Sequence, residues 1–527
     1  MRFTVAMLRV WGMAGAIATT GTMLLGAAGV AIAAPTCAPA GGQSTCSVAL
    51  GPASLGAPGQ YARMTFTVPA GVNRIDAAFP AGETRKIGLG LFDERGSGFQ
   101  SAGFRGIAGE ERKSVFLANG TATPGFVAGP IGAGDWTAIV PNFLALGDIR
   151  VTVTLTFGPA TVAPERQPVP ERVARGAGWF KGDLHVHTTF SSDAASSGNS
   201  LTPAQMALRA QARGLDFINV SDHNVTTQND RLRDATPGGR PFLLLGGEEV
   251  TSWQGGPGHM TAAGLQSGRW MDWRFKPRLG RYANWQAWTA DDRPVQDAIA
   301  VGRSLGAYVA ANHPFVAPGF GSDWGFFEDS DADIRALPDG LEVWNDDFWL
   351  TFSFAAIARW DQEIARGRRL CGNGGSDVHG VGGKTEVGTP TTVVYAPELS
   401  RAAIVDAMKR CRMFITDRPT DMSLTLTANT PQGRAMLGST VSGSAGTQVP
   451  VTARAQHASG KFLHWIRNGE TVWVDVIQGD DFRSTRSFAI GGGGGVRAQI
   501  HDFPLNLKPR ALTNPIFFRQ GTPGLDF

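Results

Sequence analysis

The sequence predicts an α/β protein: a parallel sheet or (β/α) barrel carried between two β-sandwich regions. Three observations point there. In the middle of the chain a helical pattern is followed, several times over, by a short buried-strand run. At both ends the pattern is instead period-two alternation punctuated by Gly and Pro, as antiparallel sheets require. A stretch containing Pro164, Pro168 and Pro170 separates the first β region from the middle one. With 527 residues the chain has room for two or three such domains.

The first segment reads as an address. Arg2 and Arg9 precede a run of Ala, Gly, Met, Leu and Val that ends in Ala31-Ile32-Ala33, the small-x-small pattern of a signal-peptidase site, so residues 1–33 are expected to be removed on export. A retained anchor is the alternative, because the run approaches the roughly 20 residues that span a bilayer. Its many Gly and Ala residues make it weakly hydrophobic, and no later segment could cross a membrane. The mature chain is therefore expected to be periplasmic or secreted. Residues 34–160 follow as the first β-sandwich, with strands at Ala62–Val68, Ile87–Phe92 and Ile149–Leu155, and residues 161–175 form the linker.

Residues 176–420 repeat a helix-then-strand unit. Thr202 and Gln205 make a capping box around Pro203, Leu201, Ala204, Leu208, Ala212 and Leu215 recur at helical spacing, and Gly214 supplies the stop. Phe217-Ile218-Asn219-Val220 then reads as a buried strand that delivers Ser221-Asp222-His223. Helices near Pro294–Leu305, Phe354–Arg366 and Leu399–Arg410 lead in the same way to Asn312-His313, to Asp377-Val378-His379 and to Met413-Phe414-Ile415. Residues 421–527 return to the β pattern, at Met422–Thr427, Val449–Ala453 and Thr471–Val476, as a second β-rich domain.

Composition narrows the function. Lys plus Arg is 48 and Asp plus Glu is 45, and the net charge of +3 leaves no nucleic-acid or membrane footprint. No Cys-x-x-Cys pair supports a thiolate zinc site, and Gly491–Gly495 lacks the Lys of a phosphate loop. Cys37 and Cys46 are close enough to pair in an oxidising compartment, whereas Cys371 and Cys411 read equally well as buried free thiols.

Reactive residues are concentrated. Six of the nine histidines fall between His185 and His379; the others, His457, His464 and His501, belong to no motif and read as structural. His185, His187, His223, Glu249, His313 and Asp377 sit at or just past the carboxyl ends of predicted strands, the face on which barrel enzymes assemble their sites. His185-Val186-His187 puts two imidazoles on one face of a strand, a geometry that suits one metal ion, and Asp377-Val378-His379 repeats it with a carboxylate. Singly, each reads as a cap, a turn or a solvated strand end. Converging in one barrel mouth, they would be costly to desolvate without a cation.

The string from Trp179 to Asp193, W-F-K-G-D-L-H-V-H-T-T-F-S-S-D, resembles the opening motif of the PHP (polymerase and histidinol phosphatase) metallohydrolases. Ser221–Asn224, Gly247–Thr251, Asn312–Pro314 and Gly375–His379 resemble its later motifs in order. Pro257-Gly258-His259, Glu342-Val343-Trp344-Asn345, Ala511–Ile516, and Phe104-Arg105-Gly106 with Ala122–Phe126 are similar to the carbaryl-hydrolase-like (CehA/McbA) branch. The resemblance implies a distorted, TIM-like (β/α)7 barrel with two or three divalent ions, zinc, manganese or iron. It implies one ion on His185, His187, Glu249 and Asp377, a second sharing Glu249 with His259 and His313, and a third on Asp193, His223 and His379. Glu249 is preferred to Glu248 by its spacing to Val250-Thr251.

Two ions bridged by one carboxylate can share a water, lower its pKa and present hydroxide to phosphorus or to a carbonyl carbon. The chain is thus expected to be an exported metal-dependent phosphoesterase acting on a small-molecule phosphoester, with Asp377, His313 and Lys384 as catalytic candidates. A carboxylic or carbamate ester hydrolase on the same site is the alternative, and a non-catalytic extracellular binding protein is the reading from another class. Lys181, Arg209 and Trp344 are further candidates for substrate contact, with packing the better expectation for Arg209 and Trp344. Oligomeric state does not follow from the sequence.

Overall fold

Period-two alternation before residue 158 becomes two antiparallel sheets. Thr45–Ser54, Asp148–Phe157, Val72–Ala78 and Ser114–Ala118 form one, and Tyr61–Val68, Gly134–Leu144, Leu89–Phe92 and Phe104–Ala108 form the other. Their inward residues, among them Leu50, Phe66, Ile75, Leu89, Trp136 and Val151, share one core. This is a computed structural model, and it describes Cys37 and residues 44–56, 59–159, 171–252, 258–276, 293–315, 337–346, 350–383, 385–420, 422–491, 493–505 and 508–526. The expected leader at 1–33, residues 161–170 of the expected linker and the candidate Lys384 lie outside the described residues.

The middle of the chain builds a mixed row of seven strands. Arg172–Val186 (β1) pairs in parallel with Phe217–Val220 (β2), and β2 with Leu243–Thr251 (β3). His259–Ala263 (β4) runs antiparallel to both β3 and Tyr308–Ala311 (β5), and Gly340–Asn345 (β6) and Cys371–Gly375 (β7) complete the row in parallel. Just beyond β7, Val378 bridges Val186, the Asp377 amide donates to the His185 carbonyl at 2.9 Å, and the His187 amide donates to the Val378 carbonyl at 3.0 Å. The row therefore curls back on its first strand. Its core is large and apolar, with Phe217, Leu245, Trp273, Tyr308, Trp344 and Trp360 almost wholly buried.

The parallel sheet or (β/α) barrel expected from the repeat is interrupted at β4, which runs antiparallel to both its neighbours. Residues 252–258 alone join β3 to β4, too few for the crossover of a dozen or more residues that a parallel pair needs, so the chain turns back antiparallel. The row remains strand-rich. Four helices of nine residues or more are described: Pro203–Ala212 (α1), Val295–Ser304 (α2), Leu350–Ala365 (α3) and Arg401–Lys409 (α4). The α1 capping box is present, with the Thr202 side chain accepting from the Gln205 amide, and Gly214 ends the helix at φ +88°. No helix among the described residues is long and apolar enough to cross a membrane.

Two further expectations change. Strand β1 starts at Arg172, inside the expected linker, because backbone donors return after Pro170 and pair with Thr391–Ser400 (β8). Cys371 and Cys411 are not free thiols but a disulfide, with Cα atoms 5.0 Å apart, and Cys37–Cys46 is a second. From β8 the sheet continues through Met413–Thr416 (β9) and Ala511–Thr513 (β10) into strand Gly495–His501, so the last β region is hydrogen-bonded to the middle one. On the other side Phe104 stacks on Trp270 at 4.0 Å, and Arg274 donates to the carbonyls of Ser97 and Gly98 at 2.8 and 2.9 Å, fastening the first β region.

Candidate metal centre

The carboxyl ends of β1, β2, β3 and β7 meet around one side chain. Glu249 is fully buried near the end of β3, where alternation sends it to the opposite side from Glu248. Glu248 accepts from the Met271 amide at 2.7 Å, and burial pushes its carboxyl well above the usual range. Glu249 Oε2 instead lies 3.2 Å from Nε2 of both His185 and His187 and 2.9 Å from His223 Nδ1. Its other oxygen, Oε1, lies 3.0 Å from His259 Nδ1 and 3.3 Å from His313 Nε2. Asp377 Oδ1 faces the same pair of imidazoles, at 3.3 Å from His185 and 3.2 Å from His187.

A third grouping lies alongside. Asp193 Oδ2 is 3.3 Å from His223 Nε2 and 3.0 Å from His379 Nε2, and His187 joins His223 and His379 with ligand atoms within 4.8 Å of one another. All nine residues named from sequence as metal ligands are thus brought together. Their grouping differs in detail: His223, Glu249 and His259 converge as one set, and His185 and His313 converge on Glu342, which sequence reasoning did not place in the site. The signal for Glu342 was a carboxylate inside the apolar strand run Leu341–Trp344. Of the other candidates, Arg209 pairs with Glu386 and Trp344 is a core side chain.

Polar bookkeeping tests whether these residues fit a cation. His185 Nε2, His187 Nε2 and Glu249 Oε2 are buried and make no hydrogen bond, although they face one another at about 3 Å. Buried polar atoms are ordinarily satisfied, and lone pairs aimed at one point are the donor set of a divalent ion. The opposite ring atoms are tied down. His185 Nδ1 meets Glu342 Oε1 at 3.0 Å, His187 Nδ1 meets Ser191 Oγ at 3.1 Å, and His223 Nδ1 meets Thr251 Oγ1 at 2.6 Å. Asp222 holds the loop after β1 in place by accepting from Thr188 and Ser191 amides at 2.6 and 3.1 Å. The residues fit.

Electrostatics match the geometry. Burial would raise the Glu249 carboxyl, yet His185, His223 and His259 pull it well below the usual range. Burial works against charge on His185, but Asp377, Glu249 and Glu342 hold its imidazole well above the usual histidine value. His259 goes the other way: burial, only partly offset by Glu249, lowers it to about 4, so its ring is neutral at physiological pH. His313 and Asp377 sit at φ +26° and +56°, backbone strain of the kind that gathers at functional sites.

Gly375 makes the close packing possible. A Cβ there would lie 2.3 Å from His185 Cβ and 2.7 Å from Glu342 Oε1. Gly375→Ala is expected to cost about 1–3 kcal/mol of stability through overpacking. Denaturant unfolding checks this, and an unchanged midpoint would mean that β7 moves aside freely.

A cleft of about 330 Å³, lined by Ser197, Asn199, Asp377, His379, Gly380 and Thr385, opens beside the third grouping.

No protein-family profile matches the chain, and no curated protein does. Among solved structures it is similar to a two-domain protein containing a predicted PHP-like metal-dependent phosphoesterase from Bacteroides vulgatus, at 17% identity and TM-score 0.35 over 68% of this chain and 100% of that one. It is also similar to a protein designated a metal-dependent phosphoesterase from Bifidobacterium adolescentis, at 19% identity and TM-score 0.26, covering 42% and 92% of the two chains. An amidohydrolase from Chromobacterium violaceum matches at 16% identity and TM-score 0.27, covering 46% and 98%. At these scores the likeness assigns nothing, and the chemistry rests on the chain's own side chains.

Proposed function

We propose that this chain is an exported metal-dependent hydrolase, a phosphoesterase of PHP type that acts on a small phosphoester. The observation that carries the reading is Glu249, one buried carboxylate within 3.3 Å of a nitrogen of each of five imidazoles. His185, His187, Glu249 and Asp377 would hold one ion, Glu249, His259 and His313 a second, and Asp193, His223 and His379 a third. When bound, zinc, manganese or iron would lower the pKa of a shared water and neutralise charge on the substrate oxygens. Asp377 borders both the first group and the cleft and lies 3.8 Å from His313, which supports a role for the two in steering the attacking water and its proton. The cleft is at the small end of the range for ligand pockets, which suits a small molecule. The signal-peptide pattern expected at residues 1–33 and the two disulfides support a site of action in an oxidising compartment.

The test is metal analysis of purified protein followed by assay with p-nitrophenyl phosphate, bis(p-nitrophenyl) phosphate and 1-naphthyl methylcarbamate before and after chelation. Chelator-sensitive release from either phosphate is expected. Turnover of the carbamate alone moves the same site to ester hydrolysis, and absence of bound metal together with absence of activity after metal addition overturns both.

Protonation gives a second signature. Burial opposes a charge on His379, yet the hydrogen bond and charge of Asp193 raise it to about 9. Below that pH the ring carries a proton that an incoming ion must displace, so apparent affinity should climb as pH rises towards 9. Calorimetry of zinc binding at pH 7 in two buffers of different ionisation enthalpy should show proton release; buffer-independent heats would contradict it.

A further inference from the structure

Strand β6 carries a carboxylate that touches two of the candidate ligands and reaches a third through Asn345. Glu342 is 1% exposed. Its Oε1 meets His185 Nδ1 at 3.0 Å, and its Oε2 accepts from the His313 amide at 2.8 Å and from Asn345 Nδ2 at 3.0 Å. Asn345 Nδ2 also reaches Asp377 Oδ2 at 3.4 Å. The groups Glu342 contacts come from the ends of β1 and β5 and from Asn345 on β6 itself, and Asn345 carries the contact on to Asp377, just beyond β7. Gly375 leaves the space in which the carboxylate lies against His185.

From this juxtaposition we infer that Glu342, with Asn345, is a positioning residue for the metal centre. By accepting from His185 Nδ1–H it fixes the tautomer that leaves Nε2 free to ligate, and it raises the basicity of that nitrogen. By accepting from the His313 amide it holds the strained backbone at φ +26° and so aims that ring at Glu249. Through Asn345 it fixes the Asp377 carboxylate. One side chain thereby sets the mutual angles of three ligands. A carboxylate serves all three tasks because two oxygens offer about four acceptor positions, and an amide keeps only half of them.

The inference rests on the metal reading above and is tested with full-length Glu342→Gln and Asn345→Ala. The measurements are cobalt(II) titration, following the visible ligand-field spectrum, bound-metal stoichiometry, and melting in chelator. Glu342→Gln should bind cobalt about 10- to 100-fold more weakly with an altered spectrum, while its melting in chelator stays close to wild type. Asn345→Ala should show a smaller loss of the same kind, and it decides the matter if Glu342→Gln does not fold. Wild-type affinity and spectrum in the variant that folds overturns the positioning role, as does a defect confined to melting in chelator. Failure of the wild-type protein itself to bind cobalt would overturn the metal reading instead.

Discussion

Glu249→Gln is expected to lower kcat/KM by on the order of 10³-fold or more and to strip the centre of metal, while Glu248→Gln next to it leaves both nearly unchanged. The two substitutions are chemically identical and one position apart, so only orientation separates them. Glutamine at 249 can still accept from Asn312 Nδ2, which donates to Oε1 at 2.8 Å, so the strand end keeps one of its ties. What disappears is the negative charge that His185, His187, His223, His259 and His313 surround, and with it the carboxylate that two of the three proposed ion positions share, one oxygen facing each. Glutamine at 248 replaces a buried carboxyl that burial already favours in its neutral form, and its amide oxygen can take the Met271 hydrogen bond. Stoichiometry by elemental analysis and kinetics on p-nitrophenyl phosphate check the pair. Equal losses at 248 and 249, or metal content and kcat/KM within about tenfold of wild type at 249, would mean that Glu249 is not the shared ligand.

How much of this was readable from the chain depends on the range of the interaction. The Thr202–Gln205 cap and the Gly214 stop involve groups within a turn of one another, so sequence specifies them fully. The same holds for His185 and His187, which a strand must place on one face. Glu249 against Glu248 was legible only through spacing to Val250-Thr251, and the physical reason, alternation about β3, needs the strand register. Glu342 was not legible as part of the site. Its partners come from β1 and β5, far away in sequence, and a single buried carboxylate in a strand carries no local mark of what it faces. The reversal at β4 was hidden for a related reason: helix-then-strand punctuation predicts crossovers, and nothing in His259–Ala263 itself distinguishes an antiparallel strand. Lost regularity at β4 nevertheless serves the site, because His259 begins the strand and sits opposite Thr251 at the end of β3, two residues from Glu249.

Replacing Cys371 and Cys411 together by serine is expected to destabilise the folded chain by about 4 kcal/mol, the chain-entropy value for a loop of this size. The cross-link spans a sequence separation of 40 and joins the first residue of β7 to the residue two positions after α4. The Cys37–Cys46 link closes a separation of only 9, and on the same scale its removal should cost about 3 kcal/mol. The two bonds also differ in what they support. Cys37 and Cys46 pack against the core of the first β region, remote in sequence from the ligands. Cys371 lies in the large core and begins the strand that ends at Gly375, just before the candidate ligands Asp377 and His379, so loosening it should weaken the proposed metal binding as well as folding. Denaturant unfolding of the two double-serine variants, each with and without zinc, separates these consequences: zinc should restore less stability to the Cys371/Cys411 variant than to the Cys37/Cys46 variant. Equal gains from zinc would show that the cross-link acts on the unfolded chain alone, and two titratable thiols in the unreduced protein would show that the second bond does not form. On the proposed reading, a link beneath the strand that leads to Asp377 and His379 would give export a physical purpose, since an oxidising compartment would close the bond that holds these candidate ligands in register.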